Sequence, residues 1–160
     1  MNQQPIPLAR SILGMFAGYV CSVVLVLFMV GLCYIQLGAD GAFAPDAYRD
    51  SSLFEVLKST SGFVAAIAAG WLACRIGGTR ATVMLAVLIT VTGLVNGSLA
   101  WNKQESRNEP WVARAPGVVN FTVASENIQN SALYVFATPF LGCAGSLVGG
   151  AMCIIMRRVR

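Results

Sequence analysis

Seven acids, five cysteines and not one histidine are the residues from which this 160-residue chain would have to build catalysis or hold a metal. The missing histidine removes the commonest acid–base group and the usual haem or metal ligand. Cys21, Cys33, Cys74, Cys143 and Cys153 contain no Cys-x-x-Cys pair and fall within or at the ends of apolar runs. A free thiol there is a small apolar filler rather than part of a disulfide framework. The acids Asp40, Asp46, Asp50, Glu55, Glu105, Glu109 and Glu126 lie outside the apolar runs, Glu55 in the polar start of the second helix before its run begins near 61. Proton-coupled transport generally needs an ionisable group within the membrane, which disfavours that class. Serine and threonine are numerous, yet no base stands ready to activate one as a nucleophile. These types and spacings predict no catalytic residue, no cofactor, no metal site and hence no enzyme.

The elements that carry these residues are apolar. The chain is 56% hydrophobic and 11% charged, whereas a soluble domain needs roughly 25% charged residues to cover its surface. Apolar segments cover approximately 11–37, 54–76, 81–101 and 131–156, and a bilayer core of about 30 Å needs roughly 20 helical residues. The second gains its length by starting within "SSLFEVLKSTSG", where Ser52 and Glu55 have capping-box spacing. The first is far longer than the apolar region of a signal peptide and reads as a retained span. The expectation is one all-α membrane domain over 1–160, an antiparallel four-helix transmembrane bundle with outer loops at 38–53 and 102–130. Within the second loop, Pro110-Trp111, a Pro-Gly turn signal and "VVNFTVAS" predict an ordered loop on the bundle, with a short strand as the alternative.

Charge sets the expected orientation. With the N-terminus inside, the short inner segments hold Arg10, Arg75, Arg80, Arg157, Arg158 and Arg160 and no acid. Arg49, Lys58, Lys103, Arg107 and Arg114 share the outer loops with every acid. Basic residues in short segments beside spans act most strongly on topology, so both termini are expected in the cytoplasm. The net charge of +4 then reflects topology and predicts no nucleic-acid partner.

Small residues recur at four-residue spacing: Gly14/Gly18, then Gly62/Ala66/Gly70, and finally Gly142/Ser146/Gly150. Such stripes let helix backbones approach in lipid. Gly14, Gly18, Gly70, Gly142, Ser146 and Gly150 are the expected packing residues, concentrated towards the inner half. Towards the outer half lie Gln36, Thr92, Asn96 and Thr138, which either bond between helices or line a shallow polar recess. Pro139 removes a backbone bond to Val135 and predicts a kink beside them.

Residues 70–80 read "GWLACRIGGTR". Gly70, Leu72, Ala73, Arg75 and Gly77 resemble the loop between spans two and three of major facilitator transporters, G-x-L-A-D-R-x-G-R-R. Cys74 stands where that family has its acid, so its charge relay does not carry over. Local physics accounts for the same residues: Gly77 and Gly78 suit the end of one helix, Thr79 the start of the next, and Arg75 and Arg80 the inner headgroups. Taken with Ala17-Gly18, Pro110-Trp111 and the glycine-rich last span, the chain resembles small, uncharacterised four-span bacterial integral membrane proteins. That resemblance implies architecture only; the expected location is a bacterial inner membrane. The expected role is an accessory subunit, scaffold or homo-oligomer whose partners are membrane lipids, other membrane proteins or itself. The alternative is a small oligomeric pore or carrier for a neutral or lipid-like solute.

Overall fold

The computed structural model describes residues 7–44, 48–105 and 130–159. The 106–129 part of the long loop, including Pro110-Trp111 and "VVNFTVAS", lies outside the described residues. Among the described residues the chain forms α1 (Leu8–Ala42), α2 (Ser52–Glu105) and α3 (Ala132–Val159). All three are long and apolar enough to cross a membrane.

Three helices stand where four were expected, because α2 runs on without a loop through the second and third apolar segments. Its direction nevertheless reverses at Gly78, whose φ of 73° and ψ of −170° break the helix. Thr82 Oγ1 lies 3.4 Å from the Gly70 carbonyl oxygen, although twelve residues of unbroken helix would separate them by about 18 Å. The φ of Gly78 lies in a region that side chains resist, which fits glycine there. The carbonyls released at the reversal are taken up from both flanks. From α1, Arg10 Nε donates to Ile76 O at 2.7 Å and Ser11 Oγ to Gly77 O at 3.2 Å. From α3, an Arg157 guanidinium nitrogen donates to Cys74 O and Arg75 O, each at 3.0 Å. The start of α1, the turn and the end of α3 therefore share one end of the molecule.

The two limbs of α2 form the middle of the bundle, and α1 and α3 each pack on α2. Small residues make the contacts. A methyl group on Gly14 would stand 2.9 Å from Ala73 O, and one on Gly149 would stand 1.9 Å from Ile67 O. The buried set around the turn is Ala69, Ala73, Ala81 and Leu85. Large side chains such as Leu13, Phe16, Leu27 and Phe28 point outward, with Leu27 64% exposed. That arrangement reverses a soluble core and suits a lipid solvent, in which close backbone approach rather than water exclusion drives association.

The opposite end is joined by a short connection. Phe43 and Asp50 form an antiparallel bridge, with Ala44 N donating to Arg49 O at 2.8 Å and Ser51 N to Ala42 O at 2.9 Å. Rings of Tyr34, Phe43, Tyr48 and Phe54 pack beneath it. The cap of α2 is Ser51 rather than Ser52: its hydroxyl accepts from Phe54 N at 3.2 Å and donates to Gly41 O at 2.7 Å. Ser131 caps α3 in the same way, accepting from Tyr134 N at 3.2 Å.

Candidate functional site

Close packing at the Gly78 end has a geometric consequence at the other. The two limbs of α2 and α3 meet tightly around Gly70, Ser146 and Gly149, then separate towards Lys58 and Asn96. The gap is a cleft of about 370 Å³. The first limb of α2 supplies Gly62, Phe63 and Ala66, and the second supplies Ile89, Gly93 and Gly97. Pro139 and Gly142 of α3 close a third side, and Ser22 and Val26 of α1 reach it as well. The glycines that line it do so for two reasons, open space at Gly62 and helix contact at Gly93 and Gly97. Nothing lies within 4 Å of where a Gly62 Cβ would be. At Gly93 and Gly97 the added carbon would instead meet Pro139 and Val135 at 2.8 and 2.9 Å.

The walls are apolar and the rim is polar. Lys58, Asn96, Asn130 and Tyr134 stand around the opening. Lys58 is 8% exposed and its ammonium group is fully engaged: it pairs with Asp50 Oδ2, donates to Asn130 Oδ1 at 2.8 Å and sits 4.3 Å over the Tyr134 ring. Asp50 lies behind Lys58 and outside the cleft lining, with its side chain buried. Its second oxygen, Oδ1, is buried with no hydrogen-bond partner among the described residues. Burial pushes the Asp50 carboxyl above the ordinary aspartate range, and Lys58 only partly offsets this. Glu55 stands close by, its Oε1 accepting from Ser131 N at 3.3 Å and so tying α3 to the start of α2.

The structure brings together only part of the expected polar group. Asn96 and Thr138 line the cleft. Thr138 spends its hydroxyl on Tyr134 O in its own helix, and Thr92 does the same with Leu88 O at 2.7 Å. Gln36 is exposed on α1 and takes no part in the lining. No continuous polar path joins the four residues.

The expected packing residues all lie at helix contacts within the chain. Carbon added to Gly18 would stand 2.9 Å from Ala69 O, to Gly142 2.8 Å from Ile89 Cγ2, and to Gly150 2.5 Å from Thr82 Cγ2. Gly70 and Ser146 face each other directly, and Ser146 turns its hydroxyl back to Cys143 O at 2.8 Å.

Lys58, Asp50, Asn130 and Tyr134 escaped sequence reasoning. Lys58 was assigned to an outer loop, yet it sits one turn before Gly62 and two before Ala66. All three line the cleft from one helix face. Extending the small-residue stripe back by four residues would have found it.

Among the described residues no group of three or more His, Cys, Asp or Glu side chains is placed to hold a metal. The cleft presents apolar walls with hydrogen-bonding groups at Asn96, Asn130 and Tyr134. No protein-family model, no curated protein and no solved structure matches this chain.

Proposed function

We propose that this chain is an integral protein of a bacterial inner membrane that crosses the bilayer four times, with both termini cytoplasmic, and binds one lipid-like molecule without catalysing a reaction. Three long apolar helices, one reversed at Gly78, support the crossings. Arg10, Arg75, Arg80 and Arg157 gather at the Gly78 end, which supports placing that end in the cytoplasm. The bacterial location is an expectation from the sequence alone.

One observation carries the binding reading. The glycine stripes that could have recruited partners are engaged inside the chain, whereas the cleft at the other end is left with apolar walls and polar rim groups. Its length is about 12–16 Å, from the helix rise between residues 58 and 66 and between 89 and 100. That is close to half of a hydrocarbon core of about 30 Å. A chain from the outer leaflet fits such a space.

The test is photolabelling in membranes with a lipid probe carrying a diazirine near the end of its chain. Adducts are expected on 58–66, 89–100 and 134–142, and Gly62→Leu should abolish them by filling the cleft. Labelling spread over outward residues such as Leu27 and insensitive to Gly62→Leu would overturn the reading. Labelling of single cysteines introduced at Gln3 and Val159 with an impermeant thiol reagent tests the orientation, because both should react only after the membrane is opened.

A second reading, an accessory subunit or homo-oligomer, is favoured by a separate groove. Met15 of α1 and Val83, Met84, Val87, Leu88 and Val91 of α2 line it without a polar atom. Crosslinking and affinity purification from native membranes would reveal a partner held there, and recovery of free monomer alone would argue against it.

A further inference from the structure

The charges around the cleft define the head of the molecule it takes. This deepens the lipid-binding reading and rests on it. Among the described residues Lys58 is the cation that lines the cleft, and its three N–H groups meet Asp50, Asn130 and the face of Tyr134. An anionic head would have to take Lys58 away from a carboxylate that is itself buried. It would also come near Glu55. Among the described residues that line the cleft, what remains free for a ligand is uncharged. Asn130 accepts from Lys58 through its oxygen, which leaves its amide nitrogen to donate, and the Asn96 amide stands on the opposite rim.

We infer that the cleft holds a single-chain amphiphile with an uncharged, hydrogen-bonding head such as a hydroxyl or amide, and that Asp50 enforces this choice by holding the charge of Lys58. The apolar chain lies along Gly62, Ala66, Gly93 and Gly97, and the head meets Asn96 and Asn130. Asp50 does not touch the ligand in this arrangement. It is a positioning residue that decides what Lys58 offers.

Two probes with the same diazirine chain test this in the full-length protein, reconstituted in phosphatidylcholine vesicles at pH 7.5. One ends in a glycerol ether and the other in a sulfate, which stays ionised. Labelling is normalised to adducts on bulk lipid, and Gly62→Leu defines the part that comes from the cleft. The wild type should prefer the glycerol probe by about fivefold or more, the scale of one unfavourable charge contact at a partly screened site. Asp50→Asn should leave the charge of Lys58 uncompensated and lower that ratio towards one or below. Equal or stronger wild-type labelling by the sulfate, still lost in Gly62→Leu, overturns the head-group inference while the cleft continues to bind lipid. Labelling by both probes that ignores Gly62→Leu overturns the cleft itself. The wild-type ratio decides the matter even if Asp50→Asn does not fold.

Discussion

Gly70 and Ser146 approach so closely that a methyl group on Gly70 would stand 2.0 Å from the Ser146 carbonyl oxygen. That oxygen belongs to backbone, so one of the two helices must move to admit it. Gly70→Ala is expected to lower stability by about 1–3 kcal/mol, the usual cost of overpacking. Gly62 lies two turns earlier on the same helix, where an added carbon meets nothing within 4 Å. Gly62→Ala should therefore be neutral or stabilising by up to about 1 kcal/mol, because alanine restricts the unfolded chain and favours helix. Thermal unfolding of the two variants in the same detergent separates them. A similar loss in both would refute packing as the reason for glycine at position 70.

The buried Lys58–Asp50 pair predicts asymmetric losses. Lys58→Met strands a buried carboxylate that already has one oxygen unpaired among the described residues, and should cost about 3–5 kcal/mol. Asp50→Asn keeps an oxygen for Lys58 and removes a charge that burial penalises, so its cost should be smaller. The double change Lys58→Met with Asp50→Leu should recover most of the loss, since no charge then remains unpaired. Additive single losses in a double-mutant cycle would show that the two side chains act independently.

Asp50 also sets a pH dependence. Its folded pKa lies above its unfolded value, so between the two the native state binds more protons than the unfolded state. Stability must then fall as pH rises through the folded pKa, and the favourable contribution is complete only below the unfolded value, about 3.9. The difference in melting temperature between wild type and Asp50→Asn isolates this residue from the other acids. It should shift against the wild type as pH is raised upward from about 4. A difference that moves the other way would mean that Lys58 outweighs burial.

Helix positions were legible in the sequence because lipid demands long apolar runs and close contact demands small residues at fixed spacing. The glycine pair at 77–78 marked the turn for the same local reason. That Gly78 breaks the helix on its own, with side chains from α1 and α3 taking up the freed carbonyls, was not legible. The cap of α2 was read one residue late. Two adjacent serines are equivalent locally, and only the bond from Ser51 to Gly41 O, across the connection, chooses between them. Lys58 was missed because a lone cation near the edge of a span reads as a headgroup contact. Its partner reaches it through the Phe43–Asp50 bridge, a tertiary feature. Gln36 and Thr92 show the converse: polarity gives no direction, and their side chains face elsewhere or bond their own helix.

Gly77 and Gly78 are neighbours held to glycine by different forces, and substitution should distinguish them. Carbon added at Gly77 would meet Ala81 Cβ at 2.6 Å and the α1 backbone at Arg10 O and Ser11 Cα, each at 2.8 Å, so Gly77→Ala pushes α1 away from the turn. Trimming Ala81 to glycine should relieve part of this, because the two α1 atoms are backbone and stay. Gly78 is constrained by its own backbone, with φ 73° and ψ −170°, a combination that costs other residues about 1–3 kcal/mol wherever their neighbours lie. No change on α1 should rescue Gly78→Ala. Asparagine should fare no better than alanine there, because its tolerance of positive φ belongs to the left-handed helical region, where ψ is near +47°. Melting temperatures of Gly77→Ala, Gly78→Ala and Gly78→Asn, each with and without Ala81→Gly, test this. Ala81→Gly removes the nearest atom, so its combination with Gly77→Ala should cost less than the sum of the two single changes; the same coupling at 78 would mean that contact rather than backbone conformation fixes the reversal.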